Sequence, residues 1–201
     1  DTAPAVTMFD RSWSVPASYR TSLGLTKVML GTYFTLDASY SLNVNQPSSY
    51  DLNFAGSEKF SLHDEGDRPV YVNPSSIDPA SGAVSSVSAR SVPAYASVLD
   101  KMSDLHGDVR QVVIYAIPNI PFTFGILTIG YTYSIARAQS RGFDLSTAGD
   151  PRLVEWSPGL LTPRHILQVG LAKQFGSTWG ITTFVRAQSG LPFTPLVSGD
   201  I

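Results

Sequence analysis

The sequence predicts an all-β chain folded as an antiparallel up-and-down meander. Three observations carry that expectation. Apolar and polar side chains alternate strictly over long segments, short turns alternate with long polar connections, and charge is sparse. Charged residues make up 15% of the 201 residues, against roughly 25% in typical soluble domains.

The alternation is clearest from 34 to 45. Phe34, Leu36, Ala38, Tyr40, Leu42 and Val44 fall on one face; Thr35, Asp37, Ser39, Ser41, Asn43 and Asn45 fall on the other. Successive side chains of a strand point to opposite faces, so this segment is two-faced as a strand and scattered as a helix. The pattern recurs at 127–136, where Leu127, Ile129, Tyr131, Tyr133 and Ile135 oppose Thr128, Gly130, Thr132, Ser134 and Ala136. It recurs at 19–26, 165–173 and 179–188. The segment 108–117 is almost continuously apolar from Val112 to Ile117. Its β-branched residues and the following Pro118-Asn119 turn mark it as a strand, but alternation does not separate its faces. The expected strands are 19–29, 33–45, 107–117, 122–137, 164–174 and 179–189.

The connections have their own pattern. Tight turns fall at Leu30-Gly31, at Pro118 to Pro121 and at Gly176 to Thr178, while the segments 46–106 and 138–163 are long and rich in Pro, Gly, Ser and Asp. Loops beyond about 12–15 residues are uncommon in compact domains. Outer-membrane barrels use them by rule, with short periplasmic turns and long extracellular loops. Within the longer loop, Val92–Leu99 is a candidate strand that would extend its hairpin.

Two-faced strands suit either a soluble sandwich or a membrane barrel. In a sandwich the apolar faces meet in one core; in a barrel they meet lipid while the polar faces line a wet lumen. Three features favour a partial transmembrane β-barrel. The polar faces carry small uncharged residues. The strands run long, where globular strands peak near about 5–6 residues. Aromatic residues flank the short turns, and Tyr33, Phe122, Phe124, Phe175 and Trp179 are the expected membrane-interface set. Asp37, Asn43, Arg186 and Gln188 are the expected lumen-facing residues.

Composition narrows the chemistry. A net charge of -2 leaves no basic footprint for nucleic acid. Without cysteine there is no disulfide scaffold and no thiolate metal site. No segment approaches the roughly 20 apolar residues of a membrane helix, a test that strands of about 9–11 residues do not face. The chain opens Asp-Thr-Ala-Pro without an initiator Met, as a mature or excised segment would. No nucleophile elbow, phosphate loop or dinucleotide fingerprint occurs, and no cofactor or enzymatic activity is expected. His63, His106 and His165 lack metal-ligand spacing. The carboxylates from His63 to Asp67 suit a cation, though a solvated loop is the commoner role of such a cluster, and Gly199-Asp200 matches the start of a calcium-type Asp/Asn/Gly loop.

The order of several segments resembles a known family. Pro163-Arg164-His165-Ile166-Leu167, then Lys173-Gln174-Phe175-Gly176, then Arg186-Ala187-Gln188-Ser189-Gly190-Leu191-Pro192-Phe193-Thr194 is similar to the Oar-like TonB-dependent outer-membrane receptors. There an Arg-His pair opens a descending strand, and the next strand ends in a Gln-Ser-Gly-x-Pro-aromatic-Thr segment. Val15 to Gly24, Asp37 to Asn45 and Tyr131 to Ser134 also resemble strands of these receptors. The resemblance implies a bacterial outer-membrane location and uptake of a bulky ligand. Its implied partners are outer-membrane lipid, a plug domain of the same parent chain, and a periplasmic energy-coupling protein reached through a segment outside this sequence. Such barrels have about 22 strands, so the expectation is an internal, late-barrel fragment. The alternative from another class is a secreted or surface β-sandwich that binds carbohydrate or protein.

Overall fold

The computed structural model describes residues 3–120, 125–144, 149–159 and 162–193. Six long strands make the sheet: β2 (Ala17–Met29), β3 (Thr32–Asp51), β6 (Ser97–Ile117), β7 (Ile126–Ser140), β9 (His165–Phe175) and β10 (Trp179–Gln188). They lie in the order β10-β9-β7-β6-β3-β2 and pair antiparallel throughout, which is the expected all-β meander. The sheet does not close into a barrel among the described residues. Four short strands join them among the described residues: β1 (Ala5–Phe9), β4 (Phe60–Leu62), β5 (Arg68–Val70) and β8 (Glu155–Pro158).

Two features of the meander were not legible. β1 runs parallel to the first residues of β6, pairing Ala5 with Ser97 through Phe9 with Lys101, so the sheet is not purely antiparallel. The long connections are also shorter and more ordered than expected. β3 continues six residues past Asn45, and β6 begins ten residues before Gly107. Their extensions pair across two register shifts around Gln46, where Asn45 takes a left-handed φ of 54°. A bulge of this kind adds local twist to the outer arm of the hairpin. The candidate strand Val92–Leu99 is only partly realised, since Ser97, Val98 and Leu99 open β6 while residues 92–96 take turn and coil conformations. Residues 92–95 cannot pair there because Asn53 holds them as a turn. Its Nδ2 donates to the carbonyls of Val92 (3.1 Å) and Tyr95 (2.9 Å), and its Oδ1 accepts from the Val92 amide (2.8 Å).

Among the described residues the buried hydrophobic ones are Val70, Val72 and Leu105, none of them in the tight-turn half of the sheet. The loop residues above the sheet form their own small core. Phe54 stacks edge-on against Tyr71 (4.9 Å) and Phe143 (5.6 Å), and Tyr50 meets Phe143 at 5.2 Å. Phe143 lies beyond β7, so the two long connections close on each other. Arg152 spans the joint, with its guanidinium 5.8 Å from the Phe54 ring centre and Nη2 2.6 Å from Asp150 Oδ2. Hydrogen bonds from Arg152 hold the Asp150 carboxyl below its ordinary value of 3.8.

The tight turn between β2 and β3 pairs Met29 with Thr32 across Leu30 and Gly31, whose φ angles are 51° and 74°. Two positive φ values match a type I′ hairpin turn, the form whose twist suits the flanking strands. Glycine enters that region freely, whereas leucine is strained there. Leu30 is also 96% exposed, so burial does not offset the strain.

Two outcomes follow from this geometry. Leu30→Asn should raise the stability of the chain by about 1 kcal/mol in urea unfolding, because asparagine tolerates the left-handed region. A depressed carboxyl contributes stability above its unfolded value and loses it as pH falls through the folded one. The Asp150–Arg152 link should therefore persist as pH drops to 3.8 and open only below it. Amide exchange at Arg152, whose N–H donates to Asp150 Oδ1 at 2.9 Å, reads that opening directly.

Candidate functional site

Cross-strand register sorts every residue of the six long strands onto one of two faces. One row runs Leu25, Leu36, Ile114, Tyr131, Leu167 and Ala187 from edge to edge. The next row toward the tight turns runs Lys27, Phe34, Ala116, Ile129, Val169 and Val185. This apolar face has no second layer over it among the described residues, and Leu25, Leu36, Ile114, Tyr131, Leu167, Ile181 and Val185 are exposed. The register also assigns β6, whose faces alternation left open. Asp108, Arg110, Val112, Ile114 and Ala116 share the apolar face, while Val113 and Tyr115 join the polar one.

The opposite face is small and polar. Its rows include Gly24, Asp37, Val113, Thr132, Ile166 and Gln188, then Thr26, Thr35, Tyr115, Gly130, Gln168 and Arg186. All five glycines inside the long strands, Gly24, Gly107, Gly130, Gly170 and Gly180, lie on this face. Added Cβ atoms would stand 2.6 Å from Thr128 Oγ1 at Gly170 and 2.7 Å from Asp37 Oδ1 at Gly24. Side chains crowd on the inner side of a curved sheet, so this face is built to be concave and the apolar face to be convex.

Charge marks the end of the apolar face nearest the long loops. Asp108 is buried, and Arg137 on the neighbouring strand reaches its Oδ2 at 2.8 Å. Arg110, two residues along β6, approaches the other oxygen at 3.3 Å. Trp156 of β8 lies on the same side, with the Arg137 guanidinium 5.1 Å from its ring centre. At the opposite end stand Lys27, Phe34, Phe175 and Trp179, with Lys173 Nζ 4.9 Å from the Phe175 ring centre. The apolar surface is thus bounded at both ends by aromatic and cationic residues. Sequence reading missed the loop-side boundary of Asp108, Arg110, Arg137 and Trp156. Its signal was present, because Arg137 follows Ile135 by two residues and Arg110 precedes Val112 by two.

The residues singled out beforehand are placed as follows. Asp37, Asn43, Arg186 and Gln188 all lie on the polar face. They do not form one cluster, since Asp37 on β3 and Gln188 on β10 share a row but sit four strand spacings apart, roughly 19 Å. Phe175 and Trp179 face each other across the last tight turn on the apolar side. Tyr33 pairs with Val28 and Ile117 on the polar side of its turn. Phe122 and Phe124 lie outside the described residues, as do Gly199 and Asp200.

The histidines stay apart. His63 pairs with Asp67 at 2.5 Å, His106 meets Gln139, and Tyr131 Oη lies 2.8 Å from His165 Nδ1. No group of three metal-ligating side chains occurs among the described residues. Two of the quoted motifs do meet. The Ser189 amide donates to the His165 carbonyl at 2.9 Å, and the His165 amide donates to Ser189 Oγ at 3.2 Å. The Arg-His start of β9 and the Gln-Ser-Gly end of β10 therefore close one end of the same ladder.

Comparison with known proteins adds no relative: no family profile matches this sequence, and neither a curated protein nor a solved structure does.

The crowding argument is open to direct measurement. Gly170→Val should cost about 2 kcal/mol in urea unfolding, as overpacking typically does. Val169→Leu, one residue away on the open face, should stay within about 0.5 kcal/mol of the parent.

Proposed function

We propose that this chain is part of the wall of a transmembrane β-barrel in a bacterial outer membrane, serving a transporter of the TonB-dependent kind. The observation that carries the membrane reading is the apolar face, continuous over six strands and uncovered among the described residues. A soluble sandwich needs a second layer on that face, so the binding-module alternative has the weaker support.

The dimensions agree with a bilayer. From Arg110 to the turn at Pro118 is eight residues, or roughly 27 Å of strand. At a tilt of about 40° this spans about 21 Å, close to the apolar band of about 25 Å in outer-membrane barrels. Backbone groups in lipid must be satisfied within the protein. In this reading, further strands continue the sheet beyond β2 and β10, which each pair on one side only among the described residues.

The transport role draws its support from the motif order around Arg164-His165 and Gln188 to Thr194. The polar face, with Asp37, Asn43, Arg186 and Gln188, lines the passage. A plug domain of the same parent chain gates it, and a periplasmic protein supplies the energy. The wall itself carries out no chemistry.

Expression of the full chain without a fused carrier tests this. The expected result is insolubility in plain buffer and a β-rich circular dichroism spectrum in micelles. Ile114→Arg should oppose insertion into lipid vesicles by about 2–4 kcal/mol, while Ser39→Arg, on the polar face, should have little effect. A soluble monomer that unfolds cooperatively without detergent rejects the barrel and favours the sandwich.

A further inference from the structure

We infer that the convex face carries a site for one anionic membrane lipid, with the phosphate held at Arg110 and Arg137 and an acyl chain lying in the groove beside them. The inference rests on the lipid-facing reading of that surface, and goes beyond it by naming a position, a charge and a ligand class.

The groove is a depression of about 450 Å³ on the apolar face. Ala38 forms its floor, between Leu23 on β2 and Val112 on β6. Tyr40, Tyr133 and Ile135 rise around it, and Arg110 stands at its loop-side end. It exists because Ala38 is small where its neighbours in the row, Leu23 and Val112 with Tyr133 beyond, are large. An alkyl chain filling it would cover apolar surface that the protein leaves open.

The charge at its head is not balanced. Two guanidiniums, on Arg110 and Arg137, share the single carboxylate of Asp108, leaving these three side chains with a net charge of one positive unit. Asp108 is occupied on the side of Arg137, which donates to its Oδ2 from Nε (3.2 Å) and Nη2 (2.8 Å). Arg110 is held loosely. Its Nε stands 3.3 Å from Asp108 Oδ1, yet that oxygen has no hydrogen-bond partner among the described residues, so the pair lacks hydrogen-bond alignment. The Arg110 side chain is 60% exposed and that of Arg137 45%. Guanidiniums bind phosphate through paired, planar N–H donors, which makes this the favoured anion. The indole of Trp156, beside Arg137, belongs at the same headgroup depth. A neutral headgroup would gain nothing from the unbalanced charge, whereas an anionic one gains about fivefold in binding per basic residue at a membrane surface.

The test uses the full chain refolded in a neutral detergent and titrated separately with phosphatidylglycerol and phosphatidylcholine, with retained lipid counted by native mass spectrometry. One phosphatidylglycerol should be retained per chain, at least fivefold more readily than phosphatidylcholine. Arg110→Gln should lower phosphatidylglycerol retention about fivefold and leave phosphatidylcholine unchanged. Ala38→Phe, which fills the groove without touching the charges, should reduce retention as well. Equal retention of the two lipids by a chain that requires detergent overturns the site and leaves the barrel standing. So does indifference to both substitutions. A chain that is soluble without detergent and retains neither lipid overturns the site together with the lipid-facing reading.

Discussion

The ladder between β3 and β6 is the interaction from which the sheet takes its order. These are the two longest strands, and they pair from Tyr33–Ile117 at the tight-turn end to Asp51–Leu99 in the loops. Because side chains alternate with period two, a slip of one residue in this ladder would exchange the two faces of β3 relative to its neighbours. The ladder sets which face of β6 is which, and β7 inherits the choice through Val112–Tyr133 and Ile114–Tyr131. The β3–β6 register aligns Ala38 with Val112, and the β6–β7 register puts Asp108 beside Arg137.

Register and side-chain size act together on shape. Glycine and threonine accumulate on the side where side chains are crowded, and Leu, Ile, Tyr and Val on the side where there is room. Among the described residues neither face forms a conventional core. The energy that ordinarily comes from burying apolar side chains is confined to the cap above the sheet, around Val70, Val72, Leu105 and the Phe54 stack. A sheet organised this way depends on its surroundings to cover the convex face, the same property that underlies the proposed place in a membrane. In the proposed membrane setting the boundary residues mark depth, with Arg110, Arg137 and Trp156 toward the loops and Lys27, Phe175 and Trp179 toward the tight turns.

The outer arms show a different principle. Past Gln46 the chain no longer follows strict alternation, and order comes from polar side chains bonded to backbone and to each other. Asp51 Oδ1 accepts from the amides of Asn53 and Val98, both at 2.9 Å. Ser48 donates to Asp104 Oδ1 at 2.7 Å, and Arg141 reaches Asp104 Oδ2 at 2.6 Å. Apart from the local Asn53 contact, these bonds join segments tens of residues apart and turn two long connections into one cap.

The sequence by itself determined the strand class, the six long strands and the tight turns at Leu30-Gly31 and Gly176 to Thr178. Each depends on neighbours within a few residues: alternation with period two, β-branched content, and turn residues such as Gly31 and Gly176. It also separated the apolar set of β3 and β7 from their polar set, since both can be read along one strand. Only the tertiary structure decided the faces of β6, where a run of apolar residues carries no period and the partner strands must choose. Only the structure brought Arg110 and Arg137 to the one carboxylate of Asp108, placed β1 parallel on β6, and folded 52–96 against the segment after β7. Those are pairings between residues distant in the chain, and their register is set by hydrogen bonding and packing across strands, not by local preference.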